Sequence, residues 1–452
     1  MDVAIVGCGY VGLVTGTCLA SVGKSVACLD VDETKVDTIK TRTAPFYEAG
    51  LDELIEKHLG DTLHVSTDLD KELAIAPIIL VCVGTPFKGE QIDLSFVLSV
   101  GQRLGDLLKE RNDYPVLVIK STVVPGTTTG AFREIVEKYS GKQAGKDFGL
   151  AMNPEFLAEG SAVRDFMRPD RIVIGATDDT SYEAVRDLYS AFDDNLIVRT
   201  SPSTAEMVKY TSNSLLATLI SFSNEIASIC STLDDVDVAD VMSGVHRMQH
   251  LTYSDQDGQS KNVSIANFLW AGCGFGGSCF PKDLKALAAF ATSSGVDSKI
   301  LNSVVEINEK QPHRVVAEAK AKLSTLIGVR TTVLGTAFKP GTDDVRESPA
   351  LKIVAQLMSE GADVICHDPM ANPNARQAMQ ADGVDVDSIR FTDDLATALA
   401  ETQLVILVTS WPEYRNLAET LCSNKATPLV FDSRRFLDKR DYPNYAGIGL
   451  RS

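Results

Sequence analysis

Short apolar runs alternate with stretches of helical periodicity through the N-terminal part of the chain. Residues 3–7 (VAIVG) read as a buried strand, 10–22 as a helix and 25–30 as a second strand. Further strands are predicted at 78–83, 116–120, 149–152 and 171–175. Apolar runs of this length between helices imply βαβ units and a parallel sheet. The pattern changes near Thr200. From Ser203 to about Ser231 the residues Met207, Tyr210, Leu215, Leu219, Phe222, Ile226 and Ile229 recur at helical spacing, without Gly or Pro. This predicts one long helix with Ser201 or Ser203 near its N-cap. Such a helix can join two domains and supply a dimer interface. Alternation returns after Gln311: strands are predicted at 331–335, 363–366, 404–408 and 429–431, with a helix over 348–359. The polar segment 253–261 (YSDQDGQSK) lacks periodicity and reads as an exposed loop.

Composition narrows the class. A chain of 452 residues is too long for one core. The net charge of −18 argues against a general role on nucleic acid or at a membrane surface. Nine cysteines form no CxxC pair, so reduced thiols of a cytoplasmic protein are expected, with no disulfide framework and no metal site. The apolar start resembles a leader, but Asp2 stands where a basic region belongs and the glycines fit a nucleotide loop, so no targeting segment is expected. No apolar run is long enough to span a bilayer.

Two motifs carry chemistry. Gly7, Gly9 and Gly12 of GCGYVG follow a strand and open a helix, and Asp30 ends the next strand. This is the dinucleotide fingerprint in its full context: glycines for a tight turn and close pyrophosphate approach, a carboxylate for the adenosine ribose. A carboxylate there repels a 2′-phosphate, so NAD is favoured over NADP. The fold class that follows is α/β: two Rossmann-like doubly wound parallel sheets joined by a central helical domain. The expected boundaries are 1–200, 201–310 and 311–452. Thr85 and Thr122 lie at two strand ends that point at the crevice where open parallel sheets bind ligands. Taken alone, each is more often a cap or turn residue. The second motif is GCGFGGSCFPKD over 272–283. It places Cys279 on a Gly-rich loop with Lys282 and Asp283 beside it, which is how a nucleophilic thiol is presented. A free cysteine is commonly a buried small hydrophobe, and the polar, Gly-rich setting argues against that here.

These motifs, with NPEFLAEG over 153–160, Lys209 and Asn213, FKPGTDDVRES over 338–348, PFYEAGL over 45–51 and FDSRRF over 431–436, resemble the UDP-glucose/GDP-mannose dehydrogenase family nearly end to end. The nearest likeness is to its UDP-glucose branch. The resemblance implies NAD-dependent oxidation of the C6 alcohol of a nucleotide hexose to a carboxylate, UDP-glucose to UDP-glucuronate, with two NAD reduced. It makes Cys279 the nucleophile, through a thiohemiacetal and a thioester, with Cys273 the weaker candidate. It places Lys209 and Asn213 near C6, and has Glu159, Thr122 and Asp283 position the hydrolytic water. Glu155, Phe156, Leu157, Phe275, Gly276, Lys339 and Arg435 (or its neighbour Arg434) fall on the substrate side. Tyr10, Val11, Lys35, Thr85, Thr122, Glu159 and Arg346 join the glycines and Asp30 on the cofactor side. Two carboxylates, Glu155 and Glu159, near one site are expected to raise one pKa by repulsion. Lys282 lowers the thiol pKa or holds a phosphate; the sequence leaves both open. The implied partner is a nucleotide-sugar substrate, and the implied assembly a homodimer through the central helix. The family's arginine upstream of the catalytic loop falls near Val263, where Lys261 and Arg247 are the nearby cations. That departure keeps UDP-N-acetylhexosamine and GDP-mannose substrates open. A two-electron hydroxy-acid dehydrogenase and a non-catalytic sensor are the competing classes. The first leaves Cys279 and the second sheet without a use, and the second predicts a damaged catalytic set.

Overall fold

The Val-, Ile- and Leu-rich runs form strands buried on both faces, as parallel strands covered by helices must be. The computed structural model describes residues 1–88, 91–423 and 427–451. They divide into two units, Met1–Ser212 and Asn213–Ser452.

The first unit is built on eight strands: β1 (Val3–Val6), β2 (Val26–Leu29), β3 (Leu63–Ser66), β4 (Ile78–Val81), β5 (Val116–Ile119), β6 (Gly149–Met152), β7 (Ile172–Ala176) and β8 (Ile197–Thr200). Their order across the sheet is β8-β7-β6-β5-β4-β1-β2-β3. Every pairing is parallel except β6 with β7, so the sheet is mixed at one end. In register, Val3 lies beside Val26 and Ala4 beside Ile79. The strand order reverses between β1 and β4, the place where open α/β sheets bind ligands. Helix α1 (Tyr10–Ser21) follows β1 directly, as its periodicity predicts.

The second unit carries a six-stranded, wholly parallel sheet: β9 (Arg330–Leu334), β10 (Asp363–His367), β11 (Arg390–Thr392), β12 (Leu404–Leu407), β13 (Leu429–Asp432) and β14 (Tyr445–Gly447). The order is β11-β10-β9-β12-β13-β14, again reversing beside its first strand. The turn after β9 repeats the turn after β1. Gly7 N–H donates to Leu29 O at 2.7 Å and Gly335 N–H to His367 O at 2.7 Å. Cys8 N–H donates to Asp30 at 2.8 Å and Thr336 N–H to Asp368 at 2.7 Å. Asp368 also accepts from the amides of Ala337, Met370 and Ala371 and from Trp411 Nε1.

The long helix is present as Pro202–Cys230. Ser201 caps it, its Oγ accepting from Thr204 N–H at 3.3 Å, while Ser203 lies inside the first turn. A second long helix, Lys299–Leu323, with Pro312 inside it, spans the position of the boundary expected at 311. The segment 253–261 corrects an expectation. Thr252–Ser254 pairs antiparallel with Ser260–Asn262, and Asp255 closes the turn by accepting from the amides of Asp257 and Gln259. A polar ribbon exposed on both faces carries no apolar alternation by which to announce itself. Among the described residues no helix is long and apolar enough to cross a membrane.

Candidate active site

The dinucleotide loop in the first unit is shaped for close approach. Gly7 has φ +104°, and a Cβ there would sit 2.8 Å from the Cys82 carbonyl oxygen. At Gly12 a Cβ would lie 1.9 Å from Gly7 O, whereas at Gly9 it would meet open space. Helix α1 has no side-chain cap, so its first amides keep their donors for an anion. Tyr10 and Val11 lie half-buried on its first turn. Asp30, nearly buried at the end of β2, accepts from Cys8 N–H and from Asp32 N–H at 3.0 Å, with Lys35 Nζ 3.8 Å away. The arrangement fits a dinucleotide: an open glycine face, free helix amides and a carboxylate tied to the turn through the Cys8 amide. The two neighbouring strand ends meet, with Thr85 Oγ1 donating to Thr122 O at 2.8 Å and Ser121 Oγ to Val83 O at 2.6 Å.

Beside them the NPEFLAEG segment leaves β6. Asn153 is held by Lys120 Nζ (3.0 Å) and by Tyr189 Oη (2.5 Å). Glu155 pairs with Lys209 at 2.8 Å, both side chains buried, and its second oxygen accepts from Leu157 N–H at 2.6 Å. Burial alone would push the Glu155 carboxyl up. The Lys209 ammonium and these hydrogen bonds outweigh it and hold the pKa below the usual carboxylate value. Glu155 is therefore an ionised partner of Lys209, and the raised pKa expected of one member of the Glu155 and Glu159 pair does not fall on it. The Phe156 ring lies under Arg171 (3.9 Å) and Lys209 (5.6 Å). Lys120, Asn153, Glu155, Phe156, Leu157 and Arg171 line a cavity of about 250 Å³.

In the second unit the catalytic-loop candidate is held from several directions. Asn224 Oδ1 accepts from Gly272 N–H, Gln311 Nε2 donates to Gly272 O, and Asn308 exchanges two hydrogen bonds with the Phe275 backbone. Arg434 donates to Gly274 O at 3.0 Å and to Val408 O at 2.6 Å. Gly277 N–H donates to Arg346 O. A Cβ at Gly276 would fall 2.4 Å from Glu347 O, and one at Gly277 2.7 Å from the Phe338 ring. The loop delivers Cys279, half-buried, to the N-cap of the helix Phe280–Ser293, where negative charge is stabilised. Buried Asp283, one turn on, accepts from Asn213 Nδ2 at 2.6 Å and from Lys282 Nζ at 2.5 Å. Lys282 thus pairs with Asp283, a use the sequence left undecided. Cys273 is fully buried, its Sγ 3.7 Å from Val408 O.

The remaining expected residues are spread more widely. Lys339 lies over the Phe338 ring and Arg346 pairs with Asp344 at 2.6 Å. Arg435 is turned inward: it is paired with buried Asp237 at 2.7 Å and donates to Ile448 O. These contacts hold its guanidinium within the second unit. Lys261 pairs with Asp255 across the polar ribbon. The sequence did not single out Asn224, Asn308 and Gln311, which hold the loop together with Arg434, the alternative it offered to Arg435. The available signal was polar side chains among the apolar positions of the two long helices.

Residues 1–193 match the NAD binding domain of the UDP-glucose/GDP-mannose dehydrogenase family, 203–310 its central domain and 332–439 its UDP binding domain. The chain belongs to this family. It is 36% identical over 453 residues to a UDP-glucose 6-dehydrogenase of Haloferax volcanii, covering 99% of this chain and 100% of that one. A UDP-glucose 6-dehydrogenase of Bacillus subtilis is 37% identical over 438 residues, covering 96% and 88%. Among solved structures, a UDP-glucose dehydrogenase from Pyrobaculum islandicum superimposes with a TM-score of 0.87 at 34% identity, covering 99% and 97%. Family membership and the open glycine turn agree that NAD is the cofactor of the first unit.

Proposed function

We propose that the chain oxidises UDP-glucose at C6 to UDP-glucuronate with NAD, in two two-electron steps. The observation that carries this reading is the Cys279 loop: a half-buried thiol at a helix start, held by Asn224, Asn308, Gln311 and Arg434. Removing a hydride from an alcohol carbon leaves an aldehyde, which has no second hydride to give until a nucleophile adds. The Cys279 thiolate adds to C6, the S–C bond forms and the carbonyl oxygen takes a proton, giving a thiohemiacetal. Loss of the second hydride leaves a thioester. NAD, when bound, would supply the acceptor, one molecule for each hydride in turn, and the hydroxyl proton leaves to solvent at each oxidation. Water then adds at C6, the C–S bond breaks and the thiolate is regenerated.

Lys209 and Asn213 stabilise the oxyanion at C6. The Glu155 pairing supports Lys209 in this role, because it holds a buried ammonium in one place. Thr122, Glu159 and Asp283 position the water. The first unit binds NAD, the central segment carries Cys279 and the C-terminal sheet takes the nucleotide, with Lys339 supplying positive charge to the substrate and Arg346 to the cofactor. The similarity to UDP-glucose 6-dehydrogenases at 36–37% identity supports UDP-glucose over the other nucleotide hexoses. Leu215, Phe222 and Ile229, spaced by seven on Pro202–Cys230 and about half exposed, support a homodimer through that helix. Among the described residues no cysteine is in a disulfide, which supports a cytoplasmic location. The test is NADH formed per UDP-glucose consumed. A ratio near two is expected, and Cys279→Ser is expected to abolish it. A ratio of one, or full turnover by the variant, overturns the reading.

A further inference from the structure

The segment Pro45 to Leu51 has no part in the mechanism above, yet it touches two segments that do. Gly50, at φ +80°, precedes the helix Leu51–His58, and Leu51 N–H donates to Glu48 O at 3.1 Å. This tight turn drives the Glu48 side chain inward, where only 5% of the residue stays exposed. Glu48 Oε2 accepts from Tyr10 Oη and, at 2.7 Å, from Gly160 N–H. Gly160 N–H also points at Tyr10 Oη, 3.0 Å away. The Tyr10 ring packs on Phe46 with centroids 4.9 Å apart. Burial first, then the Glu48 carboxylate, push the Tyr10 hydroxyl well up, so it remains a donor; the charge of Glu159 adds to that shift. Glu48 Oε1 is buried with no hydrogen-bond partner among the described residues. A carboxylate with one unsatisfied oxygen is a poor space-filler. It is a good fixed acceptor for two donors that arrive from separate loops.

We propose that Glu48 is a positioning residue for thioester hydrolysis, clamping Glu159 in register with the dinucleotide turn. This rests on the reading of Glu159 as a group that orients the water. Gly160 follows Glu159, so fixing the Gly160 amide fixes the peptide that carries Glu159. Tyr10 opens α1 immediately after Gly9, so the same carboxylate fixes the cofactor turn. In the step served, the water oxygen bonds to the C6 acyl carbon and the C–S electron pair leaves with sulfur. One proton passes through Glu159 to solvent, and the second leaves as the product acid ionises. Hydride removal from the alcohol and from the thiohemiacetal needs no such water, so loss of the clamp falls hardest on the last step.

The full-length protein is compared with Glu48→Ala, Glu48→Gln, Tyr10→Phe and Glu159→Gln, using UDP-glucose and NAD. Three readouts are taken: the NADH burst, steady-state turnover, and intact mass for an acyl adduct on Cys279. Glu48→Ala is expected to keep the burst, slow the steady state by on the order of 10–100-fold and accumulate the adduct. Glu48→Gln, whose amide oxygen still accepts from both donors, restores most of the turnover. Tyr10→Phe keeps the ring on Phe46 and loses only the shared hydroxyl, so it decides the matter if Glu48→Ala does not fold. Burst and steady state falling together in Glu48→Ala or Tyr10→Phe, or turnover within twofold of wild type, overturns the proposal. An adduct in Glu159→Gln but not in the Glu48 and Tyr10 variants sinks the clamp and leaves the role of Glu159 standing. An adduct in the Glu48 variant but not in Glu159→Gln shows the reverse: the segment positions some other group, and the assignment of Glu159 fails.

Discussion

Cys279 is set apart from most of the other thiols by its surroundings. A hydrogen bond to Cys28 and burial push Cys8 up, and burial raises Cys18 and Cys82 to about 12 and Cys366 higher still. Those groups stay protonated and sealed. Iodoacetamide at neutral pH should therefore modify Cys279 and exposed Cys422 first, with loss of activity tracking Cys279 alone by peptide mapping. The Gly-rich setting made Cys279 legible in the sequence. Glu155 was not legible in the same way, because its charge state depends on Lys209, distant in sequence. Glu155→Gln leaves the buried ammonium without its counter-charge and should cost about 3 kcal/mol in denaturant unfolding at neutral pH. The folded Glu155 pKa lies below the ordinary 4.5, so its contribution is present above that pH and lost as pH falls through the folded value. The gap between wild type and variant should therefore close in acid. A gap that widened in acid would mean the pair is not ionised.

Strands and helices were read well wherever one period dominated. The strand at 149–152 and the helix Pro202–Cys230 are where apolar spacing puts them. The ribbon of Thr252–Ser254 with Ser260–Asn262 escaped because nothing in it is buried on one side. The catalytic loop lay between these cases. Its glycines announced close approach, but not what approaches, which is the backbone of Glu347 and the ring of Phe338. Backbone cannot swing aside as a side-chain tip can. Gly276→Ala should displace the loop and lower turnover on the order of 100-fold, while NAD affinity measured by fluorescence titration falls far less, since the glycine turn and Asp30 of the first unit carry most of that site. NAD binding weakened as much as turnover would contradict the division of labour between the units.

The whole chain shows most in repetition and in what remains uncovered. The sequence foretold two doubly wound sheets, and the two share one strand order, with the mixed end confined to the first. Their likeness was hidden because it lies in hydrogen bonds around Gly7 and Gly335, not in residue identity. If Leu215, Phe222 and Ile229 seat a second copy, Phe222→Glu should shift the sedimenting mass from dimer to monomer. A wild-type monomer would remove that interface. The repeated turn has one further consequence, fixed by simple lone-pair arithmetic. Asp30 spends its acceptors on two amides, whereas Asp368 is saturated by four amides and an indole. An acid so fully occupied cannot grip a ribose, so the twin scaffold is closed to a second coenzyme, and calorimetric titration should count a single NAD for each polypeptide.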